Sequence, residues 1–256
     1  MIADAVRVSP EWLLLREPAD AAARSAELAE RLARDLRGPL VIHDLGGGSG
    51  AMGRWLAPKL PGPQHWVVHD RDADLLELAD VPGVTVETRL SDVTRLSPGD
   101  LAGASLIVTS ALLDILTADE LLRMLRACTG RPKLLALTVV GRVILSPADP
   151  LDRRIGAAFN AHQRRGRLLG PDAVAAAVDE LRATGAEVVV RPSPWRLDAG
   201  HADLTGEWLR GWVAAACEQE PALAAEADAY RDRRLAEAAA GEFAVTVDHA
   251  DLLVLP

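Results

Sequence analysis

Lysine is nearly missing from this chain, and tyrosine, phenylalanine and cysteine are at least as scarce. Of 28 basic residues only Lys59 and Lys133 are lysines, beside one tyrosine, two phenylalanines and two cysteines. Each scarcity excludes something. Cys128 and Cys217 stand far apart, with no C-x-x-C and no matching histidine pair, so they read as ordinary thiols, and no metal is expected. No apolar run reaches the roughly 18 residues of a membrane span, and the first residues lack the basic-then-apolar order of a secretory signal. The expectation is a cytoplasmic protein with no membrane partner. Basic residues are outnumbered by 37 acids, and the net charge of −9 opposes a broad nucleic-acid surface, which needs clustered Lys and Arg to neutralise phosphates. The densest basic cluster, Arg164, Arg165 and Arg167 with Arg153 and Arg154 before it, reads as a solvated helix face. Arginine in place of lysine, with abundant alanine, suggests a GC-rich bacterial gene.

What is present is enough apolar surface for one large α/β domain: 256 residues, 49% hydrophobic and 25% charged. Short apolar runs end in acids or turns at 41–45, 66–70, 84–88, 104–109, 133–140, 187–190 and 243–255, the last with a turn or bulge at 248–251. Helical periodicity fills the gaps: 10–36, stopped by Gly38-Pro39, then 51–60, 75–78, 119–128 capped by Thr117, 149–167 and 171–184. Residues 199–240 carry two further helical patterns, around 208–217 and 221–240, where a short hairpin would suffice. Such an insertion is expected to form part of a lid or a homodimer contact.

The most informative stretch is Val41-Ile42-His43-Asp44-Leu45-Gly46-Gly47-Gly48-Ser49-Gly50, a buried strand that ends in an acid and a glycine loop before a helix. Glycines there let a ligand approach the backbone and permit positive φ in a tight turn. The segment from Gly48 to Gly53 formally fits G-x-G-x-x-G, the fingerprint of pyrophosphate binding at a helix N-terminus. Taken from Asp44 the run is D-x-G-x-G-x-G, which resembles motif I of the class I S-adenosylmethionine-dependent methyltransferases. The acid favours the second, since an anionic carboxylate repels a pyrophosphate but suits an ammonium and a sulfonium. Asp70 ends the second strand, where a carboxylate can accept from ribose hydroxyls in either class, and Asp92 follows the third.

The resemblance implies a Rossmann-like fold: a seven-stranded, mostly parallel sheet with strand seven antiparallel between strands five and six, and helices on both faces. It implies a single domain, with a helical segment at 1–39, a cofactor core at 40–198, the insertion at 199–240 and a final strand at 241–256. It also implies S-adenosyl-L-methionine as cofactor and S-adenosyl-L-homocysteine as product, held by Asp44, Gly46, Gly48, Gly50, Asp70, Arg71, Asp92, Val93 and Ser110. Asp92 would accept from the adenine amino group, and Arg71 stands where the family usually has an apolar residue. The acceptor is expected to be a small molecule, in a secondary-metabolite or cofactor pathway. For a hydroxyl acceptor a general base is needed within about 3 Å. Asp114, just past strand four, and His162, on an inward helix stripe, are the candidates, with His201 third; His43 and His69 read as packing residues. Trp195, Trp208 and Trp212 near the insertion read as core or as a pocket for a planar acceptor. Two alternatives stay open: an NAD(P)-dependent oxidoreductase, against which the lack of a Tyr-x-x-x-Lys dyad counts, and a protein of the same fold that binds the cofactor without turnover.

Overall fold

The computed structural model describes residues 8–256; the first residues of the expected 1–39 segment, and the expectation about a secretory signal, lie outside the described residues. Eight strands form one sheet: β1 (Leu40–Leu45), β2 (Gln64–Asp70), β3 (Thr85–Leu90), β4 (Leu106–Ser110), β5 (Lys133–Ser146), β6 (Glu187–Pro192), β7 (Trp195–Leu197) and β8 (Ala244–Leu255). Their order is β3-β2-β1-β4-β5-β8-β6, with β7 pairing β8 off this path. β1 to β5 run parallel, and β8 is antiparallel to β5, β6 and β7. The order reverses between β1 and β4, which opens a crevice at their carboxyl ends.

Nine α-helices accompany the strands among the described residues: α1 (Pro10–Ala23), α2 (Ala26–Asp35), α3 (Ala51–Leu56), α4 (Ala73–Glu77), α5 (Ala118–Ala127), α6 (Asp152–Gln163), α7 (Ala173–Ala183), α8 (Ala202–Gln219) and α9 (Ala224–Ala239). Leu28 and Leu32 of α2 and Met52 and Leu56 of α3 pack on one face of the sheet, against Ile42, Trp66 and Val108. Leu121 and Leu125 of α5 and Ala177 and Leu181 of α7 cover the other, against Ile107, Leu135 and Leu252. Burial on both faces explains why these strands are nearly unbroken apolar runs.

A third core lies beyond the parallel sheet. β5 continues to Ser146 instead of ending near residue 140, and its far half pairs with the first half of β8. Leu145, Val245 and Val247 of this ribbon meet Ile155 of α6, Trp208 and Trp212 of α8, and Tyr230 of α9. The insertion therefore packs with α6 and the ribbon, and Trp195, Trp208 and Trp212 are buried in that core. Arg234, 1% exposed, ties α9 to α6 through Asp152 at 3.0 Å, and Tyr230 Oη donates to the same carboxylate at 2.6 Å.

Four local expectations are corrected. The helix at 10–36 is two helices: Arg24 leaves helical geometry at ψ 139°, and Ser25 caps α2 by accepting from the Leu28 amide, a local bond that competes with helix continuation. The irregularity expected at 248–251 lies instead on the partner strand, where β5 carries bulges between Leu135 and Thr138 and between Val139 and Val143. An eighth strand, β7, arises because the edge strand is interrupted: Ser193 still bonds His249, but Pro194 has no amide hydrogen to continue the ladder. The helix at 149–167 also ends early, with Gly166 at φ 62°.

Candidate functional site at the ends of strands β1 and β4

Asp44 is the penultimate residue of β1, paired in register with Val68 on one side and Val108 on the other. Neighbours on both sides leave its carboxyl fully buried, and among the described residues neither oxygen has a hydrogen-bond partner. Burial pushes its pKa up to about 7, with Arg24 pulling down and Asp70 pushing up. An orphaned carboxyl in this position is costly unless something cationic faces it.

The loop above it is built by backbone conformations few side chains allow. Gly46, Gly48 and Gly50 have φ of 71°, 52° and 87°. Gly47 is required for a different reason, because a Cβ there would lie 2.7 Å from the Asp44 carboxyl. The loop is anchored on β2: the amides of Gly46 and Gly47 donate to the His69 carbonyl at 2.8 and 3.1 Å, and the Gly48 amide donates to Asp70 Oδ2 at 2.9 Å. Asp70 Oδ1 accepts from the Asp72 amide at 3.0 Å. A carboxylate has about four acceptor positions, so Asp70 retains capacity for hydroxyl donors.

Asp92, two residues beyond the end of β3, is exposed and caps a short turn by accepting from the Thr94 amide and hydroxyl at 2.9 and 2.6 Å. Burial raises its pKa, but the Thr94 bonds and the nearby Arg95 and Arg71 leave it lowered. Val93 is buried with Leu45 and Leu112, while Arg71 is exposed at the edge. At the end of β4, Ser110 Oγ accepts from Arg24 Nη2 at 3.0 Å. The next residue, Ala111, is held at φ 52°, and Asp114 follows, half-buried, with Oδ1 unpartnered among the described residues. Burial raises the Asp114 pKa, against its own amide and Arg16.

The structure thus brings Asp44, the glycine loop, Asp70 and Ser110 together at the crevice, with Asp92, Val93 and Asp114 on the flanking strand ends. His162 is not among them. It sits between α6 and α8, where Arg165 Nη1 lies 2.8 Å from Nδ1 and Glu218 Oε2 lies 2.9 Å from Nε2. Arginine only donates, so Nδ1 accepts, Nε2 carries the proton, and no lone pair is left for base work. His201 pairs with Asp198 at 2.9 Å at the start of the insertion. His43 and His69 are stacked inside the sheet, with Nδ1 and Nε2 2.9 Å apart.

α1 covers the loop. Leu13 comes within 3.7 Å of a Cβ built on Gly48, and Glu17 grips Arg54 of α3 through two bonds of 2.7 Å. A groove of about 600 Å³ runs beside this contact, lined by Leu14, Glu17, Ser49, Arg54 and Leu78. The inner face of α1 carries residues that sequence reasoning missed. Arg16 forks onto Asp20 at 2.9 and 3.1 Å, Asp20 also accepts from Trp195 Nε1 at 2.9 Å, and Arg24 lies 3.9 Å from Asp20. The available signal was their spacing: charges four residues apart on a helix share one face, here the buried one. Among the described residues no group of three or more His, Cys, Asp or Glu side chains is arranged to hold a metal ion, and no helix is long and apolar enough to cross a membrane.

No family model matches the chain, and no curated protein matches it. Among solved structures, a cyclopropane synthase from Mycobacterium tuberculosis is similar over 96% of this chain and 94% of its own, at 15% identity and a TM-score of 0.51. A protein from Anaeromyxobacter dehalogenans described as a type II methyltransferase is similar over 91% and 96%, at 16% identity and a TM-score of 0.51. At these identities the likeness is one of fold: the chain has the Rossmann-like class I methyltransferase fold.

Proposed function

We propose that the chain is an S-adenosylmethionine-dependent methyltransferase acting on a small molecule in the cytoplasm. One observation carries this: Asp44, fully buried beneath the glycine loop with both oxygens unpartnered among the described residues, suits a cationic ligand and opposes the pyrophosphate of a dinucleotide. When bound, S-adenosylmethionine supplies a methyl group made electrophilic by its sulfonium. Asp44 would hold the ammonium, Gly46, Gly48 and Gly50 would give close backbone approach, and the remaining acceptor positions of Asp70 would take the ribose hydroxyls. Asp92, Val93, Arg71 and Ser110 would border the rest of the cofactor. The chain's own part in the chemistry is to bind, orient and exclude water, with α1 latched over the loop by Glu17 and Arg54.

For a hydroxyl acceptor, Asp114 Oδ1 is the favoured atom to receive the proton: it is buried, unpartnered among the described residues, and burial has raised its basicity. His162 is the weaker candidate because both ring nitrogens are engaged. The test is calorimetric titration with S-adenosylmethionine, S-adenosylhomocysteine, NADH and NADPH, followed by transfer of labelled methyl groups to small-molecule acceptors. Binding of the adenosyl pair alone supports the proposal, and binding of a dinucleotide alone overturns it. Transfer lost in Asp114→Asn but kept in His162→Ala supports Asp114 as base; full transfer in Asp114→Asn removes it.

A further inference from the structure

The two edges of the sheet are finished differently. β6, at one end, closes with Pro192, which cannot donate to a further strand, and its Glu187 and Arg191 are held by Arg31 and Glu27 of α2 at 2.6 and 2.7 Å. β3, at the other end, contains no proline and no lysine, and its register with β2 is unbroken. Among the described residues no strand lies on its outer side. Its two charges, Glu87 and Arg89, are of opposite sign and lie 2.7 Å apart, so the edge carries no like-charge barrier against another copy of itself. Leu90, the last residue of β3, is 67% exposed, more than any other large hydrophobic side chain among the described residues.

The Ser91 amide donates to the Asp70 carbonyl at 2.8 Å, which turns the main-chain groups of the odd-numbered residues of β3 toward β2. Successive residues of a strand address opposite edges, so Val86, Thr88 and Leu90 hold N–H and C=O outward. A second copy meeting this edge antiparallel must set outward residues opposite outward residues. Three registers that engage the middle of the strand do so, centred on Glu87, Thr88 or Arg89. The first sets Glu87 against its own copy and the third sets Arg89 against its own, and like charges directly opposite are destabilising. The register about Thr88 sets Glu87 against Arg89 of the second copy, twice over by symmetry, and Val86 against Leu90. We propose that this edge is a dimerisation surface, on which two copies join their β3 strands antiparallel about Thr88 so that the two sheets run on as one. Main-chain bonds form across the Thr88 pair and between each Val86 and Leu90, which also covers the exposed leucine. Glu87 and Arg89 meet in the non-bonded pairs, where opposite side chains stand closest. The pairing is independent of what the crevice at β1 and β4 binds.

The test is sedimentation equilibrium of the full chain from about 1 to 100 µM, with amide hydrogen exchange to locate the contact. Wild type should dimerise across this range. The amides of Val86, Thr88 and Leu90 should slow as the concentration rises, while those of Glu87 and Arg89, which face β2, stay slow throughout. Thr88→Pro removes an outward N–H and leaves the ladder to β2 intact, so it should keep the fold and abolish the dimer. Arg89→Glu sets like charges opposite at two equivalent places and should weaken association by about tenfold or more. Adding Glu87→Arg to it restores opposite pairing and should return association to within about threefold of wild type. These charge exchanges decide the matter should Thr88→Pro fail to fold. Wild type that stays monomeric at the highest concentration overturns the proposal. So does a dimer whose Val86, Thr88 and Leu90 amides stay fast, one that Arg89→Glu leaves at wild-type strength, or one that the double exchange does not restore.

Discussion

Gly47 lies over Asp44 so closely that a Cβ on the glycine would sit 2.7 Å from the carboxyl carbon and from Oδ2, and 2.8 Å from Val68 Cγ1. Its neighbours Gly46, Gly48 and Gly50 need positive φ, but Gly47 needs only space. Gly47→Ala should therefore act as overpacking of a rigid site, costing about 1–3 kcal/mol in urea unfolding. The displaced loop should also lose affinity for S-adenosylhomocysteine. Unchanged stability and affinity would mean that Asp44 can move aside, and that the tight loop is not what holds it.

Asp251 joins two elements far apart in sequence. Its Oδ1 accepts from the Leu137 amide at 2.8 Å, where β5 bulges and Leu137 is held at φ 54°, and its Oδ2 accepts from Ser25 at the α1–α2 junction. Asp251→Ala leaves two donors without their acceptor, at roughly 1–3 kcal/mol for each that remains buried. A destabilisation of at least about 2 kcal/mol in denaturant unfolding is expected, together with easier proteolysis near Arg24 as the junction loosens. Wild-type stability in this variant would show that water or a rearranged loop takes over both bonds.

Much of this architecture was legible in the sequence, because most of the parallel strands are apolar runs closed by turn residues and the Thr117 cap precedes a regular amphipathic helix. Asp44 and the three positive-φ glycines were legible as a motif, since both depend on local backbone shape. The buried row Arg16, Asp20 and Arg24 was not, because a charged side chain on a helix reads as solvated until tertiary packing turns it inward. The setting of His162 was hidden for the opposite reason: it lies on the stripe of α6, but Glu218 and Arg165, distant or loop-borne partners, decide what its ring can do. The extension of β5 past residue 140 was hidden by Gly141 and Arg142, which look like a turn and instead fall in a bulge, with Asn160 Nδ2 donating to the Gly141 carbonyl at 2.7 Å.

The paired histidines in the sheet make stability depend on acidity. Burial lowers His43 and His69 to about 4, with the neighbouring ring adding to the effect on His43 and Arg89 acting on both. An unfolded histidine titrates near about 6.5. Their folded pKa values are depressed, so the fold keeps these rings neutral; the stability is present above about pH 6.5 and is lost as the pH falls toward 4. Each ring can contribute a slope of up to about 1.4 kcal/mol per pH unit in that window. Asp44, raised to about 7, acts with the opposite sign, so the histidine share is read as a difference between proteins. Urea unfolding of wild type and His69→Gln at pH 7, 6 and 5 should give curves that converge as the pH falls. Parallel curves would mean that the ring binds protons equally in the folded and unfolded states, so that burial does not hold it neutral.

Asp44 makes a separate prediction about ligand binding near neutral pH, well above the window in which the buried histidines titrate. With its pKa pushed up to about 7, much of the free protein carries a protonated Asp44 at neutrality, whereas a bound ammonium requires the carboxylate. Binding below pH 7 must then expel a proton, so affinity for S-adenosylhomocysteine should fall by up to about tenfold per pH unit as the pH drops from 7 to 5.5. Above about pH 8 it should level off. The same proton should appear in calorimetry as a heat that depends on the ionisation enthalpy of the buffer, approaching one proton released at pH 6. Asp44→Asn, which cannot titrate, should bind at least about tenfold more weakly at pH 8 and show neither the slope nor the buffer dependence. A wild type whose affinity stays level from pH 5.5 to 8 would mean that Asp44 faces no cation, and the charge complementarity that sets this site apart from a pyrophosphate site would be lost with it.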